Sequence, residues 1–252
     1  MADDKASASS TERMSKAIGA WTSVLQTYPG FREWNRKKIG EALWFQEPYS
    51  DPEEEIELEF KFSDEIEKQR ALVLRYAYLQ QTISAFRECE YYFRRYPFRG
   101  LPVSRHNHLI NVCEMYFGRF YEFRERLKYF FEAVKAVNPD HGLELGKFID
   151  LYDKVFKPEI RERHSVHHRE RFGDIAIDRL FMTEMMSQSH EDKGWREEHV
   201  RAYQKAAQVW VKRVHRRATR LDQFLEAAAD AALNACPFLL KALAAPATIS
   251  PA

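Results

Sequence analysis

Two long stretches of helical periodicity constrain this chain more than any other feature. Across residues 64–96, Ile66, Val73, Tyr76, Ile83, Phe86 and Phe93 recur at the spacing that lines up on one helix face. Across residues 107–137, Leu109, Cys113, Tyr116, Phe120, Phe123, Leu127, Phe131 and Val134 form a second such stripe. The link between them, residues 97–105, holds Gly100 and Pro102 and cannot continue a helix. Amphipathic helices of this length on a short link pair antiparallel, because only then do both stripes leave water. A third long helix is expected over residues 195–234, with Val200, Tyr203, Ala207, Trp210, Val214, Leu221 and Phe224 turned inward. The expected fold is all-α, an antiparallel up-and-down bundle of long helices.

Around these the chain is expected to divide simply. Residues 1–12 are small and polar and read as a disordered arm, residues 13–236 as a single helical domain, and residues 237–252 as a flexible tail. A short helix is expected over residues 14–28, ended by Pro29 and Gly30. Residues 31–50 hold Trp34, Trp44, Phe45 and Pro48 and read as an irregular aromatic stretch. In residues 55–62, Ile56, Leu58, Phe60 and Phe62 alternate with charge at strand period. No second segment is there to pair with them, so they read as a short edge or the first turns of a helix. A shorter helix over residues 145–156 should end before Pro158, and residues 187–194 form a polar break.

Composition excludes more than it assigns. The 39 Lys and Arg nearly cancel the 38 Asp and Glu, leaving a formal charge of +1, so any polyanion site must come from local clustering. The three cysteines, Cys89, Cys113 and Cys236, are odd in number and far apart, so they suggest no disulfide framework or zinc knuckle. The polar N-terminus lacks the apolar stretch of a signal peptide. The best apolar run, residues 235–245, is short and broken by Pro237 and Lys241, so no membrane span is expected and the chain reads as cytoplasmic. GxxxxGK[ST], GxGxxG, HExxH and GxSxG are all absent, and no Glu-x-x-His pair supplies di-iron ligands, so no cofactor is implied.

Residues 160–172 are the informative segment. Arg161, Arg163, Arg169 and Arg171 stand with His164, His167 and His168, diluted by Glu159, Glu162 and Glu170. Histidine holds or releases a proton near neutrality, and arginine beside it stays charged and grips phosphate with two parallel hydrogen bonds. Together they fit RNA self-cleavage, where one group polarises the ribose 2′-hydroxyl and another stabilises the phosphorane oxygens. No metal is required, since the nucleophile is in the substrate. On a helix Arg163 and His167 share a face, and Arg161, His164 and His168 share the neighbouring one. Arg163 and His168, five apart, converge only if the backbone breaks; Pro158 makes a helix junction near Arg163 plausible. A solvated Arg–Glu face is the plainer reading of the cluster, and a metal site from His164, His167 and His168 is a third, without an acid or cysteine to complete it.

The string Arg163-His164-Ser165-Val166-His167-His168 resembles the signature of the HEPN superfamily: arginine, a polar residue, three variable positions, then histidine. The stretch after it, HHRERFGDIAIDRL, is similar to uncharacterised HEPN-like bacterial proteins. The resemblance implies a helical bundle, commonly dimeric, that cuts RNA without metal in toxin–antitoxin or anti-phage systems. It implies Arg163 and His168 as the catalytic pair and His164 as their polar support. His167 competes with His168 for the role, because Arg161 to His167 also fits the looser family spacing. Arg161, Arg169 and Arg171 would bind RNA. The partners implied are RNA, a second copy of the chain whose site faces the first, and an antitoxin or defence-system protein. The alternative is a non-catalytic helical module acting as a sensor or partner.

Three other features have ordinary explanations. Lys212, Arg213, His215, Arg216, Arg217 and Arg220 fan around a helix and read as its exposed face rather than an RNA strip. Arg94, Arg95 and Arg99 complement a helix C-terminus. Met182, Met185 and Met186 read as core filler, and the aromatic surplus of residues 107–131 as core with a dimer face rather than a base-stacking platform, since basic neighbours are not interleaved on one side.

Overall fold

The computed structural model describes residues 8–43, 61–168, 171–188 and 194–244. Among these the chain is all-helical, with nine helices and no strand: α1 (Ser10–Leu25), α2 (Phe31–Leu43), α3 (Asp64–Arg94), α4 (Arg105–Val137), α5 (Leu145–Val155), α6 (Lys157–His168), α7 (Ile175–Ser187), α8 (Trp195–Ala235) and α9 (Pro237–Ala244). The strand-like alternation expected over residues 55–62 lies outside the described residues except at Lys61 and Phe62, which precede α3. Two compact units divide the chain. One takes residues 1–73, 133–143 and 226–252; the other takes 74–132 and 144–225.

In the first unit three expectations are corrected. Helix α1 starts at Ser10, inside the expected arm, because Ser9 caps it by accepting the Glu12 N–H at 3.2 Å. The Glu226 carboxylate closes the same end, accepting the N–H groups of Ser10 and Thr11. Partial burial raises that carboxyl, but these hydrogen bonds outweigh it and hold it below the usual carboxylate range. Residues 31–43 are helical, not irregular, because Gly30, at φ 80°, turns the chain after Pro29 and lets α2 begin at Phe31. The tail expected at 237–252 contains α9, whose Pro237 sits at the favoured first position and whose Leu239 and Ala242 are buried. Its Phe238 meets Trp21 edge-on at 6.1 Å, and the Trp21 indole donates to Gln69 at 2.8 Å. Phe62 is buried against Tyr28, Phe31 and Trp34.

In the second unit the stripes behave as their periodicity requires. Every residue of the α4 stripe from Leu109 to Phe131 is buried, as are Tyr76, Ile83, Phe86 and Phe93 of α3. Between the two helices Tyr76 meets Phe130, Phe86 meets Phe120 and Tyr116, and the Tyr92 carbonyl meets the His108 ring at 2.9 Å. The aromatic surplus is mostly core: Phe117 and Phe130 are buried, and Tyr129 is the exposed one. Trp210 of α8 is the hub, stacked on Phe93 at 5.4 Å and edged by Tyr116, Phe117 and Phe172. Val200, expected inward, is exposed.

Helix α7 corrects the methionine reading. Met182, Met185 and Met186 are 60%, 56% and 42% exposed, because α7 buries its opposite face through Ile177, Leu180 and Thr183. Thr183 Oγ1 lies 3.0 Å from Nδ1 of the buried His199 on α8. Burial, reinforced by the Arg105 charge, holds the His199 imidazole below its ordinary value.

Two outcomes test this packing. Leu239→Ala should cost about 2–5 kcal/mol in urea unfolding, whereas Leu240→Ala, at a position 42% exposed, should stay within about 0.5 kcal/mol; equal effects would place α9 in solvent. For His199 the unfolded imidazole keeps a value near 6.5, so as pH falls below it the unfolded state takes the proton first and stability declines. The urea midpoint should therefore drop between about pH 7 and about pH 5, and His199→Gln should shrink the drop; an unchanged drop refutes the assignment.

Candidate functional site

The second unit carries the arginine–histidine segment on α6. Helix α5 ends at Val155 and is capped by Phe156, whose ring is buried against Phe120, Tyr152 and Phe224. Helix α6 then starts at Lys157 with Pro158 in its first turn, where a missing N–H costs nothing. The boundary expected at Pro158 is present, but the junction expected near Arg163 is not, since α6 is helical without interruption to His168. In a regular helix five residues turn about 140° from their starting direction. Positions 163 and 167 therefore share a side of α6, as do 161, 164 and 168, while 163 and 168 do not. The side chains of His167 and His168, and the whole of Arg169, lie outside the described residues.

What orients α6 is Glu159. Its carboxylate is fully buried and takes three hydrogen bonds from α8: Arg217 Nε at 2.8 Å, Arg217 Nη2 at 3.1 Å and Arg213 Nη2 at 3.3 Å. The Arg213 guanidinium lies 4.8 Å from the Trp210 ring centre, and that of Arg217 lies 5.7 Å from Phe156. Neither Glu159 as a mere diluent nor Arg213 and Arg217 as exposed charges survives this geometry. A signal was present, in that Arg213 and Arg217 are four apart and flank the inward Val214.

One turn on from Glu159, Arg163 is half-buried with its guanidinium 4.0 Å from the Tyr121 ring centre on α4. The exposed His164 ring stands nearly perpendicular to the same tyrosine, 6.4 Å between centres. Among the described residues no carboxylate lies within 4.0 Å of the Arg163 guanidinium. Close by, Arg124 and Asp153 satisfy each other through two hydrogen bonds, one of 2.6 Å. Those bonds raise the Arg124 guanidinium above its ordinary value and leave it no role as a free cation.

An open groove of about 820 Å³ runs along this face, lined by Tyr121, Lys154, Lys157, Ile160, Arg161 and His164 together with the Arg124–Asp153 pair. A second hollow of about 910 Å³ shares Lys154, Lys157, Arg161 and His164. The structure thus brings Arg161, Arg163 and His164 together. Arg171 lies elsewhere, donating to Asn111 at 2.7 Å with Glu114 at 3.5 Å, and lines neither hollow. The residues that the cluster alone did not disclose are Tyr121, Lys154 and Lys157. Among the described residues no three His, Cys, Asp or Glu side chains could hold a metal ion. Burial pushes the Cys89 and Cys236 thiols up to about 12 and raises Cys113 as well, so none offers a thiolate near neutrality. No single described helix is long and apolar enough to cross a membrane.

No family model matches the chain, and neither does any curated protein or solved structure.

The buried ion cluster yields a prediction. Glu159→Ala strands two partly buried guanidinium groups and should cost about 3–5 kcal/mol in urea unfolding, whereas Arg171→Ala, which loses one exposed pair, should cost less than about 1 kcal/mol. Comparable losses would remove Glu159 from its structural role.

Proposed function

We propose that the chain is a metal-independent endoribonuclease of the HEPN type, built as an antiparallel helical bundle and acting as a homodimer in a toxin–antitoxin or anti-phage system. The observation that carries the reading is Arg163, seated over Tyr121 beside the His164 ring, where Tyr121 and His164 themselves line an open groove with Lys154, Lys157 and Arg161. A guanidinium seated 4.0 Å from an aromatic ring centre and unclaimed by a described carboxylate keeps N–H donors for a phosphate. In the proposed reaction a histidine of α6 takes the proton of the ribose 2′-hydroxyl. That oxygen attacks the adjacent phosphorus, Arg163 stabilises the charge on the phosphorane oxygens, and the 5′-oxygen leaves with a proton from a second imidazole. The products are a 2′,3′-cyclic phosphate and a 5′-hydroxyl. The helical register favours His167 as the neighbour of Arg163, while His168 shares its side of α6 with Arg161 and His164.

A second reading, a non-catalytic interaction module, draws on the exposed apolar face of α7: Ile175, Phe181, Met182 and Met185 are 90%, 51%, 60% and 56% exposed, a patch suited to a protein partner.

Purified protein with EDTA present should cut single-stranded RNA and leave cyclic-phosphate ends. Arg163→Ala should lower the rate at least about 100-fold with an unchanged circular dichroism spectrum, and His167→Ala and His168→Ala, made separately, identify the base. Intact RNA after incubation with folded wild-type protein would overturn the nuclease reading and favour the module.

A further inference from the structure

The groove offers more positive charge than one scissile phosphate needs. Lys154 closes α5, and Lys157, Arg161 and His164 follow on α6 at intervals of three, four and three residues. All four are exposed, and all four line both hollows. Among the described residues neither Lys154, Lys157 nor Arg161 has a carboxylate within 4.0 Å, although the chain as a whole is almost neutral. Asp153, which lines the groove, is occupied by Arg124. On α6 the row from Lys157 to His164 extends about 10 Å at a rise of about 1.5 Å per residue, before Lys154 adds to it. That is too long for one phosphate and is the shape of a backbone contact line. Ile160 and Tyr121 line the same groove, supplying apolar and aromatic wall beside the cations.

We propose that Lys154, Lys157, Arg161 and His164 form a phosphate track that binds single-stranded RNA along this groove, with Tyr121 as its stacking wall. The inference deepens the nuclease reading and rests on it for the choice of RNA. A single strand is favoured because an aromatic wall between basic side chains is used by unpaired bases, whereas a duplex keeps its bases stacked on one another. Lys154 and Lys157 lie outside the reacting pair, so their part is to hold and register the strand while Arg163 meets the phosphate to be cut.

The test separates holding from cutting. A fluorescein-labelled uridine 12-mer with 2′-O-methyl riboses cannot be cleaved by 2′-hydroxyl attack, so its anisotropy reports binding alone. Full-length wild type should bind it with an affinity that falls steeply with salt. Lys154→Ala combined with Lys157→Ala should make the log–log salt slope shallower by about 1.4, since each contact to a single strand contributes about 0.7. Lys16→Ala combined with Lys205→Ala, which changes two exposed lysines off the groove, should leave the slope unchanged. Tyr121→Leu should weaken binding roughly five- to 150-fold, and Tyr121→Phe, which keeps the ring, should restore it. An unaltered slope in the groove double variant, or no binding by wild type, overturns the track even if RNA is still cut. Equal lysine-dependent capture of phosphatidylserine vesicles would reassign the surface to membrane. If the slope changes as expected but natural RNA stays intact, the nuclease reading falls and the track stands.

Discussion

The buried carboxylate of Glu159 is the contact on which the second unit's functional face depends. A carboxylate with no exposed surface carries a desolvation penalty of several kcal/mol, offset only where the geometry of its partners is complete. Here the Nε and Nη2 of Arg217 and the Nη2 of Arg213 complete it. Two cations around one anion leave surplus positive charge, and the ring faces of Trp210, Tyr116, Phe117 and Phe156 take it up. The same α8 turns thus serve polar and aromatic partners together. Helix α6 is only 12 residues long and has a weak apolar stripe, so hydrophobic burial alone would fix its rotation poorly. Once Glu159 is locked, Arg163 lies one turn further on the inward side and Arg161 and His164 lie outward. The placement of the candidate site is therefore a consequence of an ion cluster that takes no part in its chemistry.

Much of the scaffold was legible because it rests on period and punctuation. The α3 and α4 stripes, their ends and the α8 start follow from apolar spacing, Gly100, Pro102 and Gly194. What escaped was burial that depends on partners distant in sequence. Helix α2 looks irregular by composition because its apolar residues are few, yet Phe31 and Trp34 pack on Phe62, far along the chain. Helix α9 looks like a tail because it is short and begins with proline, yet Phe238 finds Trp21 more than two hundred residues earlier. The α7 methionines show the opposite failure. Apolar character predicted the core, but only one face of a 13-residue helix can be buried there, and Ile177, Leu180 and Thr183 occupy it.

The candidate site was legible as a residue set and illegible as a shape. Density of Arg and His marks residues 161–168, but density cannot tell which arginines are spent on structure. Arg213 and Arg217 have the same side chain as Arg163 and sit in an equally basic stretch, and yet they are bound to Glu159. Arg163 is distinguished by an aromatic neighbour from α4, a contact across 42 residues that no local pattern encodes. Lys154 was invisible for a related reason: it belongs to the helix before the cluster and joins the row only because a single residue, Phe156, separates the end of α5 from the start of α6.

Near-neutral composition and a polyanion-binding face are compatible because charges are sorted by what they touch. Many acids of this chain are matched at short range: Glu90 with Arg94, Glu122 with Arg119 and Arg126, Glu125 with Lys128, and Asp222 with Arg87. An exposed pair of this kind adds little stability, but it removes both charges from the distant field. A net charge of +1 therefore describes what remains after cancellation and does not describe any one surface. Around the α5–α6 groove the cancellation stops, since Asp153 is consumed by Arg124 and Glu159 is taken from beneath by α8. The local potential there is set by Lys154, Lys157 and Arg161, with Glu162 as an acid lining the second hollow. With a Debye length of about 8 Å at physiological salt, this patch acts on a ligand already near the groove. Association with RNA would accordingly be governed by contact along the groove and much less by long-range attraction to the protein as a whole.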